Sequence, residues 1–140
     1  MRKIPTLFVR DEKTRLVTPV LNEGLEWVLA SEGVASRKWD GTCCAVIGGK
    51  FYKRIEWDAK KGPAPASWIH WDNDPAQRSG HGWLPVSDDP SDWMHREAWT
   101  LGVDDQGQHF RDVTYELCGP RLQKNADGVK QNVLIPHGRD

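Results

Sequence analysis

The sequence predicts an α+β fold, mainly antiparallel sheet with one short helix. Three observations predict it. Two strand-like runs, residues 42–47 and 50–55, flank Gly48-Gly49, a two-residue hairpin signal. Residues 113–118 alternate, with Val113, Tyr115 and Leu117 on one face and Thr114 and Glu116 on the other. Helical spacing of apolar residues is read at residues 22–30, where Leu25, Val28 and Leu29 fall at i, i+3 and i+4. At 140 residues the chain is one domain's worth, enough to bury a core of its own.

The elements run in order along the chain. Met1-Arg2-Lys3 is a basic start, but Arg10-Asp11-Glu12-Lys13 interrupts the apolar run too soon for a signal-peptide core. Asn22 is placed to cap the helix at 22–30, and Glu32-Gly33 stops it, since glycine tolerates the left-handed backbone after a helix. Residues 34–39 read as extended, with Val34, Ser36 and Lys38 on one face. The hairpin comes next. Residues 60–92 carry Pro63, Pro65, Pro75, Pro85 and Pro90 along with Trp68, Trp71 and Trp83, and read as a long irregular region pinned by aromatics. Residues 97–103 read as a strand, then a turn at Asp104-Asp105-Gln106-Gly107. Gly119-Pro120 ends the strand at 113–118, Asp127-Gly128 reads as a turn, and residues 132–136 form a last short strand.

Composition narrows the functional classes. No apolar run approaches a membrane span. Three cysteines, two of them adjacent, make no disulfide framework, so a reducing, cytoplasmic setting is expected. Cys43, Cys44 and Cys118 include no CxxC, and the five histidines show no ligand spacing, so buried strand cysteines are expected rather than a metal centre. The net charge of −1 hides an asymmetry: residues 1–61 hold 12 Lys and Arg against eight acids, and residues 62–140 hold seven against 12. The basic half suits a site that receives phosphates, although uneven surface charge explains it equally well.

That basic half contains Arg37-Lys38-Trp39-Asp40-Gly41-Thr42-Cys43-Cys44. A lysine becomes a nucleophile only when desolvation or a neighbouring cation lowers its pKa from ~10.4. Arg37 and the pair Lys53-Arg54 are the candidate cations. Asp40-Gly41 is a turn pair whose glycine lets the backbone approach a nucleotide closely. Lys60 and Lys61 are candidate contacts to RNA phosphates, with a solvated pair as the competing reading. Trp57, Trp68, Trp71 and Trp83 are read chiefly as anchors for residues 60–92, and secondarily as platforms for bases.

Lys38-x-Asp40-Gly41, then Tyr52-Lys53-Arg54, then Tyr115-Glu116-Leu117 resembles the first half of the adenylylation domain of covalent nucleotidyltransferases. The string Lys-x-Asp-Gly-Thr-Cys is most similar to the ATP-dependent RNA ligases shared by phages and vertebrates. The resemblance spans residues 10–137 and is strongest at 38–61. It implies a ligase-type, ATP-grasp-like nucleotidyltransferase fold, with residues 1–140 as the N-terminal part of that domain. It implies ATP and Mg2+, a lysyl-AMP intermediate on Lys38, and joining of RNA 5′-phosphate to 3′-hydroxyl ends. Arg54 then matches a basic residue near the nucleotide and the 5′-phosphate, and Glu116 an acid that contacts the ribose. Arg37, Asp40 and Gly41 line the same nucleotide site.

Two departures qualify the match. Five residues after the lysine, many DNA ligases carry arginine and many RNA ligases asparagine. Here the residue is Cys43, only a weak hydrogen-bond donor. The later acidic strand and the Lys-x-Lys strand of the family are not found in the sequence. The expectation is therefore a truncated domain, which self-associates or takes its missing half from a second chain. The alternatives are a capping-type transferase that uses GTP, and a catalytically incomplete module that binds nucleotide, RNA or a partner protein.

Overall fold

The computed structural model describes residues 5–138; the basic start at Met1-Arg2-Lys3 and the final Arg139-Asp140 lie outside the described residues. The described chain divides into two units, residues 5–37 and residues 38–138.

In the first unit, β1 (Phe8–Arg10) pairs antiparallel with β2 (Val17–Leu21). The turn between them is built on Asp11, whose carboxylate accepts the N–H groups of Lys13 at 3.0 Å and Thr14 at 2.6 Å. The helix expected over 22–30 is one turn, α1 (Glu26–Leu29). Asn22 does not cap it: its side-chain amide donates instead to the Thr6 carbonyl at 2.6 Å. Four residues hold too few internal hydrogen bonds to extend, and Val28 and Leu29 are exposed. None of the described residues in this unit is buried.

The second unit is built on a six-stranded antiparallel sheet of β3 (Thr42–Ile47), β4 (Lys50–Trp57), β5 (Ile69–His70), β6 (Gly80–Pro85), β7 (Thr114–Cys118) and β8 (Val133–Pro136), in the order β5-β6-β4-β3-β7-β8. The expected hairpin is β3–β4. Gly48 and Gly49 both take positive φ, 57° and 72°, as a two-residue turn of this hand requires. The Asp112 carboxylate accepts both glycine N–H groups, at 2.7 and 3.0 Å, and so caps the turn from the segment before β7.

Two expectations are corrected. Residues 60–92 are not an irregular loop, because they contain β5 and β6, and β6 pairs with β4 over six positions. Gly82 in β6 is a steric requirement: a Cβ there would lie 2.3 Å from the Trp68 indole, which is buried against the strand. Residues 97–103 are not a strand. They overlap α2 (Trp93–Thr100), which comes after a 3-10 turn started by Pro90 and capped by the Asp89 carboxylate on the Ser91 N–H. Residues 34–39 join no sheet.

Helix α2 covers one face of the sheet. Ala98 packs there with Cys44, Val46, Phe51, Tyr115, Leu117 and Leu134. Trp99 stacks between Phe51 and Phe110, with ring centroids 5.0 and 4.8 Å apart. Burial of this apolar face, worth about 25 cal/mol per Å² removed from water, holds the unit together. Alternation then dictates that the opposite face carries Cys43, Ala45, Tyr52, Arg54, Thr114 and Glu116. Among the described residues no helix is long and apolar enough to cross a membrane.

Candidate functional site

The face away from α2 brings several of the predicted residues together. Cys43 on β3 lies directly across from Glu116 on β7. Glu116 points away from Tyr115 and Leu117, as the strand alternation predicted, and is half-buried. Its carboxylate has two partners. Oε1 accepts the Gly41 N–H at 2.9 Å, and Oε2 is 3.0 Å from His137 Nε2. His137 comes directly after β8, and its Nδ1 lies 2.9 Å from Thr114 Oγ1. Arg54 on β4 is half-buried and close enough to act on the Cys43 thiol. Burial pushes that thiol's pKa up; the Arg54 charge pulls it down and the Glu116 charge pushes it up. Tyr52 and Trp83 form the apolar floor beside Cys43 and Ala45.

Lys38 sits in irregular, exposed chain just ahead of β3. Hydrogen bonds to the backbone fix residues 40 and 41. The Asp40 N–H donates to the Asp127 carboxylate at 2.8 Å, and the Gly41 N–H to Glu116. Gln123 Nε2 donates to the Gly41 carbonyl at 3.4 Å. Gly41 is there for close approach: a Cβ at this position would lie 2.1 Å from the Leu117 carbonyl oxygen. Asp127 is indeed in a turn, as expected, and its carboxylate serves the Lys38 segment.

Other predicted residues fall elsewhere. Lys53 is not a partner of Arg54, because adjacent strand residues face opposite ways. It reaches to the α2 side and pairs with the buried Asp92 carboxylate, which removes it as an RNA contact on the Arg54 face. Lys60 and Lys61 are exposed on a 3-10 turn capped by Asp58, whose carboxylate accepts the Lys60 N–H at 2.9 Å. Arg37 is exposed and is the last residue of the first unit. Trp68 and Trp83 are buried, which suits anchoring and leaves neither face free for a base.

No family model matches the chain, and no curated protein matches it.

Sequence reasoning missed His137 and the grouping of its ring with Cys43 and Glu116. The ligand atoms of the three lie within 4.8 Å of one another. The signal was weak, because only the β7–β8 register, with Pro136 across from Tyr115, sets His137 beside Thr114. The donor set does not suit the Mg2+ that the resemblance implies. Magnesium prefers oxygen ligands, and this group offers a thiol and an imidazole beside one carboxylate. All three cysteines are buried, as the sequence suggested, and none is in a disulfide. An open hollow beside α2 is lined by Trp93, Glu97, Arg121, Lys130 and Asn132, and its lining does not include Glu116.

Proposed function

We propose that this chain is an RNA-ligase-like nucleotidyltransferase domain in which Lys38 accepts AMP from ATP. The observation that carries the reading is the Gly41–Glu116 hydrogen bond, at 2.9 Å. It ties the Lys-x-Asp-Gly segment to the strand that carries the proposed ribose ligand. Lys38, Arg54 and Glu116 are otherwise separated in sequence by up to 78 positions.

In this reading the Lys38 amine, after losing a proton to solvent, attacks the α-phosphorus of ATP. A P–N bond forms, the bond from the α-phosphorus to the bridging oxygen breaks, and pyrophosphate departs with the electron pair. Arg54 stabilises negative charge on the phosphates. Each Glu116 oxygen retains a lone pair beyond its present partner, enough to accept a ribose hydroxyl. Asp40 and Gly41 shape the approach to the nucleotide. AMP then passes to an RNA 5′-phosphate and is displaced by a 3′-hydroxyl. Magnesium would enter with the ATP phosphates and shield their charge from the approaching amine. Lys60 and Lys61 remain assigned to RNA phosphate contacts.

A second reading rests on the sequence: the family's later acidic strand and Lys-x-Lys strand have no counterpart in these 140 residues. The chain is then a catalytically incomplete module that binds nucleotide, RNA or a partner protein. A GTP-using, capping-type transferase is the third. Intact mass after incubation with ATP or GTP and Mg2+ separates them. One AMP adduct, absent in Lys38→Ala, supports the ligase reading. A GMP adduct selects the capping type. Nucleotide binding without an adduct selects the binding module.

A further inference from the structure

Cys43 and Glu116 lie on neighbouring strands of one sheet and His137 is the first residue after the next strand, β8, so backbone pairing sets their separation. Cys43 faces Glu116 in register, Glu116 faces Ile135, and the His137 N–H donates to the Thr114 carbonyl at 3.0 Å. We propose that Cys43 Sγ, a Glu116 carboxylate oxygen and His137 Nε2 form a three-ligand site for a zinc-class divalent ion, open at a fourth position.

The donor chemistry selects the metal class. A thiolate, an imidazole and one carboxylate match the ligand types of zinc, and three protein ligands leave a position for water or substrate. A tetrahedral zinc ion holds its ligand atoms about 3.5 Å apart. Glu116 Oε2 and His137 Nε2 are already 3.0 Å apart, and the whole group lies within 4.8 Å, so closing the site takes a shift of about one ångström at the thiol.

The surrounding hydrogen bonds are those a metal site needs. Gly41 N–H holds the second Glu116 oxygen, leaving Oε2 for the ion. Thr114 Oγ1 lies 2.9 Å from His137 Nδ1, and in the tautomer that donates this proton to Thr114 the Nε2 lone pair is free to ligate. Thiolate and carboxylate together offset the two positive charges of the ion. Binding releases the thiol proton and replaces the His137–Glu116 hydrogen bond with two bonds to metal. The site is independent of the nucleotide reading, except that a metal and a ribose would compete for Glu116.

Titration of the full chain with Co2+, in the absence of nucleotide, tests it. The expected result is uptake of one equivalent with a thiolate-to-cobalt charge-transfer band, reversed by Zn2+. Cys43→Ala is expected to abolish the band, and His137→Gln to weaken Zn2+ binding at least tenfold in competition with a chelator. Cys44→Ala, which alters a buried cysteine on the opposite face, is expected to leave both unchanged and controls for packing. Circular dichroism confirms that each variant is folded. No stoichiometric uptake by the wild type, a band that persists in folded Cys43→Ala, or unchanged affinity in folded His137→Gln overturns the site.

Discussion

Glu116 holds Gly41 through a 2.9 Å hydrogen bond from the glycine N–H to one carboxylate oxygen. The bond fastens the chain just after Lys38-Trp39-Asp40 to strand β7, while the other carboxylate oxygen engages His137. Glu116→Ala is expected to cost about 2 kcal/mol, because it leaves a partly buried N–H without its charged acceptor. Glu116→Gln keeps a carbonyl in place and is expected to lose less than half of that. Urea denaturation of both variants checks the order, and equal losses would contradict it.

Gly41 meets a steric limit at the same place. The Cβ of Gly41→Ala would sit 2.1 Å from the Leu117 carbonyl oxygen, which is backbone and can move only with β7. The expected cost is about 2 kcal/mol or more, with weakened β3–β7 pairing visible as faster amide exchange in β7. A variant as stable as the wild type would contradict the close approach.

Lys53 and Asp92 form an ion pair beneath the sheet, with the Asp92 carboxylate also accepting the Ser87 N–H at 3.0 Å. Burial alone pushes the Asp92 pKa up, but the Lys53 and Ser87 hydrogen bonds and the Lys53 charge together bring it below its ordinary value. A carboxylate depressed in the folded state contributes stability above its unfolded pKa and loses it as pH falls through the folded one. Asp92→Asn is expected to cost about 3 kcal/mol at neutral pH by stranding Lys53. It should also flatten the fall in stability below about pH 4. Thermal melts from pH 7 to pH 2 check both parts; an unchanged acid limb contradicts the assignment.

His95 on α2 has both ring nitrogens buried without a hydrogen-bond partner among the described residues. Burial lowers its pKa, Asp92 pulls it up and Lys53 pushes it down, with a net decrease. The folded protein therefore holds His95 neutral, and the stability tied to it is lost as pH falls from about 6.5 through the folded pKa. His95→Leu is expected to raise stability by about 1 kcal/mol at neutral pH, since unsatisfied buried polar atoms carry a penalty. The gain should grow on acidification to pH 5. A variant less stable than the wild type at pH 5 would contradict this.

The legible parts of the fold were those with local signals. Gly48-Gly49 announced β3–β4, and the alternation about Tyr115 and Leu117 gave β7 and the outward direction of Glu116. Strand β6 was hidden among the prolines of residues 60–92, whereas Pro85 only ends the strand and Gly82 makes room for Trp68. Helix α2 was hidden because its buried contacts, chiefly Ala98 with Met94 and Trp99 alongside, give too few strongly apolar positions to mark a helical period. At the site, the positions of Lys38, Arg54 and Glu116 were chosen by resemblance. The separation of Lys53 from Arg54 is a consequence of strand alternation alone. The arrival of His137 beside Glu116 depends on the β7–β8 register, a long-range pairing that no local pattern encodes.

Peptide mapping tests the central claim most directly. The protein is incubated with ATP and Mg2+, digested at alkaline pH to preserve an acid-labile P–N bond, and sequenced by tandem mass spectrometry. The account predicts a single AMP on the peptide that contains Lys38, attached at the Lys38 side chain. AMP on any other residue, or no modified peptide despite bound ATP, would contradict it.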